Sequence, residues 1–305
     1  MLARVPDFFV ACIFDNRYNV PMYAADSSSS NAVTTATSIS AGRIAALIAA
    51  SSNDHAKPVA IEVVAQTGST NADLLARIAS LTTPTLLVAE SQTAGRGRAG
   101  RAWHTTATSA LTFSLAWKFR RPLHALIGLP LAIGVALAEA LQVFGVKVEL
   151  KWPNDVLRDG AKLAGILIET AQNKATDSKA TASTWTVIGI GVNLAMPQDL
   201  QNRIGRAVAD VSELLGHDRE RLLALLLSAL SDALAEFDAQ GFSVFAARWN
   251  RLHAYAGRAV RILDNDRVVH EGTAVGVDDK GCFLMDTAGG RVAVVAGDVS
   301  LRLQE

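Results

Sequence analysis

Apolar residues along this chain change their spacing several times, and each change marks an element. After Ser40 the segment AGRIAALIAA carries its large apolar residues at helical intervals, with the serine as cap, and the loop SSNDHAKP ends it. From Val59 the pattern becomes VAIEVVAQT, a strand, then STNADLLARIASL, a capped helix, then TLLVAES, a second strand. Further strands are expected at 110–119 and 147–151, with a buried helix over about 126–144 between them and the turn Pro153-Asn154-Asp155 after them. LAGILIE and TVIGIGVNL read as strands flanking a polar insertion at 172–184, which reads as a hairpin loop. Over 219–240, Leu223, Leu226, Leu227, Leu230, Leu234 and Phe237 fall on one helical face, with Asp232, Glu236 and Asp238 on the other. Beyond Trp249, VRILDN, RVVHEGTAVGVDD, CFLMDT and RVAVVAG alternate with Asn-Asp, Asp-Asp-Lys-Gly and Gly-Gly turns, which predicts a small antiparallel barrel over 256–305. Strands and helices mix without strict βαβ alternation. The expected class is therefore α+β, a mixed β-sheet packed by helices over 39–255 with a small barrel behind it. Residues 1–38 hold polar, small-residue tracts with too little apolar surface to offset ordering entropy, and a poorly structured N-terminal extension is expected there.

Composition narrows the class of function. With 305 residues and 50% hydrophobic content, one large core plus a satellite is affordable. Lys+Arg 29 balances Asp+Glu 29, which argues against a global basic field for nucleic acid but allows a local basic patch. Cys12 and Cys282 form no C-x-x-C pair, so a disulfide framework and a thiolate zinc site lose support and a reducing cytoplasm fits best. The apolar run 125–138 is interrupted by Pro130 and falls short of the ~20 residues a membrane span needs. The short apolar run 8–14 follows Arg4 but is cut off by Asp15 and Asn16, a marginal secretory signal. The expectation is a soluble cytoplasmic protein without a membrane partner. Six scattered histidines show no metal-ligand spacing.

The candidate chemistry begins at Gly95-Arg96-Gly97-Arg98-Ala99-Gly100, a literal G-x-G-x-x-G after a strand. A dinucleotide fingerprint should open a helix and meet an acid ~20 residues on. Here the β-branched and aromatic alternation that follows favours a strand, no Asp or Glu occurs between Ser91 and Ala138, and no G-K-[ST] follows. What remains is a cationic field of Arg96, Arg98, Arg101, Lys118, Arg120 and Arg121 without counter-charge in sequence. Glycines let backbone N–H groups approach an anion, and guanidinium groups add bidentate bonds, so anion binding is favoured over a solvated turn. An RGG-type RNA segment would need repeats, which are absent here.

The stretch ESQTAGRGRAGRAW at 90–103 resembles the signature of the biotin protein ligases. Four further motifs follow that family's order: GSTN at 68–71, KWPND at 151–155, KLAGILIE at 162–169 and IGIGVNL at 188–194. The resemblance covers about 59–305 and implies a class II synthetase-like catalytic domain with an SH3-like C-terminal barrel. It implies ATP-dependent ligation of biotin to a lysine of a biotin carboxyl carrier domain through biotinyl-5′-AMP, with Mg²⁺ accompanying the triphosphate. Ser69, Thr70, Asn71, Gln92, Arg96, Gly97, Arg98, Lys162 and Gly165 then become biotin contacts. Arg98, Arg101, Trp103, Asn154 and Asn193 become nucleotide contacts, and Lys162, Arg98 and Asp155 carry the reaction. On their residues alone, Ser69 and Thr70 could simply cap a helix with Asp73 in its first turn. Trp103 could be a core aromatic or a ligand wall. Asp155 could ligate Mg²⁺ or help remove a proton from the acceptor amine.

Bifunctional members of that family carry an N-terminal DNA-binding domain. Residues 1–58 hold only Arg4, Arg17, Arg43 and Lys57 as cations and a single plausible helix, so the monofunctional class without DNA binding is expected. The rival readings are a lipoate ligase or octanoyltransferase of the same superfamily, and a bifunctional ligase/repressor. The acid that drives ATP–pyrophosphate exchange separates the first, and a low-salt DNA titration separates the second. The sequence does not fix the oligomeric state, a homodimer being one outcome.

Overall fold

The computed structural model describes residues 38–104, 109–170, 183–204, 207–214 and 218–304. In chain order the main part contains α1 (Ala41–Ala50), β1 (Ala60–Thr67), α2 (Thr70–Arg77), β2 (Thr85–Gln92) and β3 (Ala110–Phe119). It continues with α3 (Leu129–Val143), β4 (Glu149–Lys151), β5 (Asp155–Arg158), β6 (Ala161–Thr170) and β7 (Thr184–Asn193). Then come α4 (Gln198–Ile204), α5 (Arg219–Gln240) and α6 (Ser243–Arg251). A smaller part follows: β8 (Ala259–Asp264), β9 (Arg267–Val277), β10 (Phe283–Thr287), β11 (Gly290–Val294) and β12 (Val299–Leu303). All but the last residue of the expected 1–38 extension, and most of the 172–184 insertion, lie outside the described residues.

Seven strands form one mixed sheet in the order β1-β2-β3-β7-β6-β5-β4, parallel only between β1 and β2. Period-two alternation divides its two faces. Along β3, Leu111, Phe113, Leu115, Trp117 and Phe119 turn to the large core shared with the helices, where α3 packs on α5. Ala116 turns to the other face, where Leu74 and Ile78 of the helical segment after Ser69 pack with Leu87 and Val187. Thr112 and Ser114 share that second face by the same alternation. The site is built there, between the sheet and α2.

Most boundaries follow from local chemistry. Ser40 caps α1 by accepting from the Arg43 N–H at 3.3 Å, and Asp218 caps α5 from Glu220 and Arg221. The expected 126–144 helix starts later, at Leu129, because Gly128 (φ 84) lies in the left-handed region and Pro130 suits the first turn. The 21-residue apolar segment Leu123–Val143 has the length and hydropathy of a membrane span, yet 72% of its most apolar window is buried inside this fold. The 219–240 helix was expected to be amphipathic. Leu222 and Leu225 are buried as well as the expected face, because α1, α3 and α6 all pack on α5.

The C-terminal strands form an antiparallel sheet ordered β11-β10-β9-β8-β12. Its outer strands β11 and β12 are not paired with each other, so the expected barrel is not closed by a hydrogen-bonded ladder. Bulges between Ile262 and Leu263 and between Leu284 and Met285 curve the sheet without joining its edges. Residues Asn265 (φ 45) and Asp266 (φ 61) make the tight β8–β9 turn that Asn-Asp predicts. Strand β12, VSLRL, was not among the strands expected, although its three apolar residues alternate with polar ones.

Candidate active site

Two glycines in β7 and one in β6 create the floor. Gly191 pairs with Thr112 on one side and Gly165 on the other; two residues along β7, Gly189 pairs with Ser114 and Leu167. A side chain at any of the three would collide with what rests there. A Cβ on Gly191 would lie 2.4 Å from the Trp103 ring, and one on Gly189 would lie 2.3 Å from Asn71 Oδ1. At Gly165 it would meet Lys162 Nζ at 3.0 Å and Trp103 at 3.2 Å. Glycine is required here by close approach.

The cleft above this floor spans about 480 Å³, part of it open to solvent. Among the residues singled out by sequence, Ser69, Thr70, Asn71, Gln92, Arg96, Gly97, Arg98, Trp103, Asn154, Lys162 and Gly165 line it. Arg101 is exposed and Asn193 is buried, both off the wall. Asp155 sits behind the wall as the partner of Lys162.

The end of the cleft over Gly189 is neutral and dense in hydrogen bonds. Ser69 holds the N-cap position of α2 but makes no capping bond with its hydroxyl. Gln92 Oε1 accepts from the Thr70 backbone N–H (2.8 Å), Thr70 Oγ1 meets Ser114 Oγ (2.6 Å), and Ser114 donates to Asn71 Oδ1 (2.5 Å). Asn71 Nδ2 donates to Glu169 Oε2 at 2.8 Å. The residues 69–71 are thus not merely caps.

The end over Gly191 is cationic. Lys162 pairs directly with Asp155 and lies 5.6 Å from the Trp103 ring centre. Asp155 also receives Lys151 Nζ at 3.3 Å. Burial would raise the Asp155 pKa, but Lys162 and Lys151 outweigh it and hold the carboxyl below its ordinary value. Burial lowers the pKa of Lys151 despite Asp155 beside it.

The glycine–arginine segment is a miniature hairpin. Trp103 N donates to Gly95 O (2.8 Å) and Gly97 N to Arg101 O (2.7 Å), while Ala99 and Gly100 turn the tip at positive φ. Arg96 reaches Glu169 at 3.4 Å. Arg98 donates to Asn154 Oδ1 at 3.0 Å, to Val299 O at 3.3 Å and to Gly297 O, tying the tip to the C-terminal sheet. Trp103 Nε1 is buried and has no hydrogen-bond partner among the described residues. Asn193 does something different from contacting the cleft: its Nδ2 donates to Lys162 O (3.2 Å) and Ala209 O (2.9 Å), holding the backbone that carries the lysine.

Sequence reasoning passed over Thr112, Ser114, Lys151 and Glu169. A signal existed for the first two: apart from Lys118 near its end, they are the polar residues of an otherwise apolar strand and share one face at i, i+2. Glu169 lies four residues after Gly165, hence on the same face of β6.

Residues 62–193 match the model of the biotin/lipoate A/B protein ligase family, and residues 255–302 match the biotin protein ligase C-terminal domain. The chain is 35% identical to the bifunctional ligase/repressor BirA of Escherichia coli over 78% of its length and 72% of that protein's. To the biotin–[acetyl-CoA-carboxylase] ligase of Mycobacterium tuberculosis it is 36% identical, over 78% of its own length and 88% of that protein's. The solved Aquifex aeolicus biotin protein ligase in complex with biotin and ATP superposes with a TM-score of 0.67 at 28% identity, over 80% of this chain and 99% of that one. With its five motifs gathered around one cleft and both of its domains matched, this chain belongs to the biotin protein ligase family.

Proposed function

We propose that the cleft binds biotin at its neutral end and ATP across its cationic end, and that the enzyme joins biotin to a lysine of a biotin carboxyl carrier domain. The observation that carries this reading is the polarity of the cleft. A neutral hydrogen-bonding row over Gly189 and a cationic row over Gly191 stand two residues apart on one strand, about 7 Å. Biotin has the same division, a neutral ureido ring at one end and a carboxylate at the other.

The reaction is ATP-dependent and passes through biotinyl-5′-AMP. The carboxylate oxygen attacks the α-phosphorus and pyrophosphate leaves; the ε-amine of the acceptor lysine then attacks the acyl carbon, and AMP leaves. Lys162 and Arg98 lower the repulsion between carboxylate and phosphate and stabilise charge that builds on the transferring phosphoryl group. The hairpin bearing Arg96 and Arg98 covers the mixed anhydride against water. Asp155, held ionised between two ammonium groups, is a counter-ion that keeps Lys162 aimed into the cleft. A carboxylate with a depressed pKa is a poor general base.

Asp155 also does not fit as a Mg²⁺ ligand, since both its oxygens already face ammonium groups. The described residues hold no group of three or more His, Cys, Asp or Glu side chains suited to a metal. Mg²⁺ is assigned here only as the companion of the triphosphate, and no step is routed through it.

We place the enzyme in the cytoplasm, without DNA or membrane partners. Transfer of labelled biotin from ATP and biotin to a purified carrier domain tests the reading, alongside exchange assays with lipoate and octanoate. Folded protein that transfers no biotin, or exchanges only with another acid, overturns it.

A further inference from the structure

Every residue in the neutral end of the cleft can present either a donor or an acceptor, except one. Thr70 and Ser114 each have a hydroxyl that donates one proton and accepts others, and Asn71 and Gln92 have amides whose two ends are nearly the same shape. Such side chains take their polarity from the fixed groups they face: the Thr70 backbone N–H orients Gln92, while the Asn71 end of the row needs a strong acceptor behind it, the Leu167 carbonyl being distant at 3.4 Å. Glu169 is the exception, because its carboxylate only accepts. It lies behind the cleft lining, with Oε2 2.8 Å from Asn71 Nδ2 and Oε1 3.4 Å from Arg96 Nη2.

The consequence runs through the wall one proton at a time. Facing Glu169, the Asn71 amide must present its nitrogen there, and the Leu167 carbonyl, 3.4 Å from the same nitrogen, agrees with that choice. Asn71 Oδ1 is therefore turned to Ser114, 2.5 Å away, and Ser114 must spend its single proton on it. Ser114 Oγ can then only accept at its 2.6 Å contact with Thr70 Oγ1, so the Thr70 proton goes to Ser114, the nearer of the two acceptors it faces, Gln92 Oε1 lying at 3.1 Å. With its proton directed at Ser114 and Gln92 Oε1, Thr70 Oγ1 offers a ligand in the cleft its lone pairs. Gln92 Oε1 is held by the Thr70 backbone N–H at 2.8 Å, which leaves Nε2 as the uncommitted end of that amide. Asn71 and Ser114 are 3% and 0% exposed, so water does not rescue a wrong orientation.

We propose that Glu169 is the specificity-determining positioning residue of the ligase: it sets the direction of the Asn71–Ser114–Thr70 hydrogen-bond chain, and so decides which polar atoms of a cyclic urea the cleft accepts. The inference rests on the biotin reading above. Glu169 acts through Asn71 and touches no substrate atom.

A polarity role differs from a structural one in its effect on ligand preference. In 2-iminobiotin the ureido carbonyl, an acceptor, is replaced by a nitrogen that carries protons. Glu169→Gln keeps the shape but offers a donor as well as an acceptor, so the Asn71 amide is free to turn over and the chain behind it to reverse. With biotin as the variable substrate in ATP–pyrophosphate exchange, Glu169→Gln should raise KM by about tenfold or more, the loss of one hydrogen bond to a charged group. The kcat at saturating biotin should stay within about threefold. The preference for biotin over 2-iminobiotin should fall by about tenfold. A merely structural Glu169 would weaken both acids alike and leave their ratio unchanged, and that result overturns the proposal.

Glu169 also pairs with Arg96, so Ser114→Ala provides a second route: it cuts the chain downstream and leaves Arg96–Glu169 in place. It should lower the same ratio, and the double variant should lower it no further than either single one. An unchanged ratio in Ser114→Ala, or additive effects in the double variant, rejects the relay even if Glu169→Gln fails to fold. The wild type is the control for the underlying reading. If it does not exchange with biotin at all, the proposed function fails; if it does and the ratios do not move, only the relay fails.

Discussion

At the scale of single residues, Lys162 carries the sharpest expectation. Its ammonium contacts Asp155 and lies over Trp103 in the cleft lining, and on the proposed reading its charge stands where the biotin carboxylate and the α-phosphate meet. Lys162→Gln keeps much of the stem and removes the charge. Losing one preorganised electrostatic contact costs about 3–4 kcal/mol, roughly a hundred- to a thousandfold in rate. The loss should fall on adenylate formation, and preformed biotinyl-AMP should restore most of the transfer to the carrier lysine, since that step joins no two anions. A single-turnover measurement of pyrophosphate release decides: a wild-type rate in the variant removes Lys162 from the first step. The substitution also strips Asp155 of one of its two cations, so its carboxyl pKa should rise toward the ordinary value. Lys162 was readable as a site residue because KLAG recurs in a family pattern. Lys151 opens the KWPND motif, but its role beside Asp155 shows only in the β4–β5 hairpin, where the two residues pair across the turn.

At the scale of elements, the glycines of β6 and β7 decide whether the hairpin at residues 95–103 can seat at all. Gly191→Val would drive a branched side chain into the volume held by the Trp103 ring. The ring belongs to a loop, so it should give way while the sheet stands, at an overpacking cost of about 1–3 kcal/mol. An unseated hairpin exposes Arg96, Arg98 and Arg101, and trypsin should cut there several times faster than in the wild type, with biotin affinity reduced. Wild-type cleavage kinetics in a folded variant would show that Trp103 does not anchor the loop. Elements themselves were largely legible. Ser40, Asp218, Gly128 and Pro130 mark helix ends through their own backbone chemistry, and β3 was bounded by alternation alone. What the chain did not disclose was cross-strand register. The pairing of Gly191 with both Thr112 and Gly165, and of Gly189 with Ser114, turns scattered small and polar residues into one floor. Register depends on contacts between segments far apart in sequence, and no local pattern contains it. The same limit explains the barrel that did not close: short strands and tight turns specify hairpins, while closure depends on how β11 and β12 lie relative to each other.

At the scale of the whole molecule, deleting residues 1–37 should leave the melting temperature and ligase activity near wild type, because their polar, small-residue tracts hold little apolar surface, while Ile39, which is kept, is buried and donates its N–H to Glu90 at 2.7 Å. A fall of many degrees on deletion would show that the segment packs on the ligase core. The seam between the two parts holds a second, pH-dependent device. Trp152 of the KWPND turn packs at a tilt against Phe283 of β10, ring centres 5.4 Å apart, and donates its indole N–H to Gly281 O at 3.4 Å, so the C-terminal sheet supports the turn that carries Asn154 and Asp155. His253 fills the same seam, 4.8 Å from the Trp249 ring centre and 5.7 Å from that of Phe283. Both its ring nitrogens are buried without a hydrogen-bond partner among the described residues, and burial pushes its pKa down to about 4 from 6.5. The folded state therefore holds this histidine neutral while the unfolded chain protonates it at the ordinary value. Between about pH 6.5 and pH 4 the unfolded state binds more protons, so stability is full above that window and is lost as pH falls through it. From pH 7 to pH 4.5 the histidine should remove about 2 kcal/mol of unfolding free energy. His253→Leu keeps an apolar filler in the seam and has no proton to take up. Urea unfolding of both proteins at the two pH values isolates the effect, since the other titrating groups are common to both. The wild type should lose about 2 kcal/mol more than the variant on acidification, and equal losses would mean that His253 is hydrated or already charged in the folded protein.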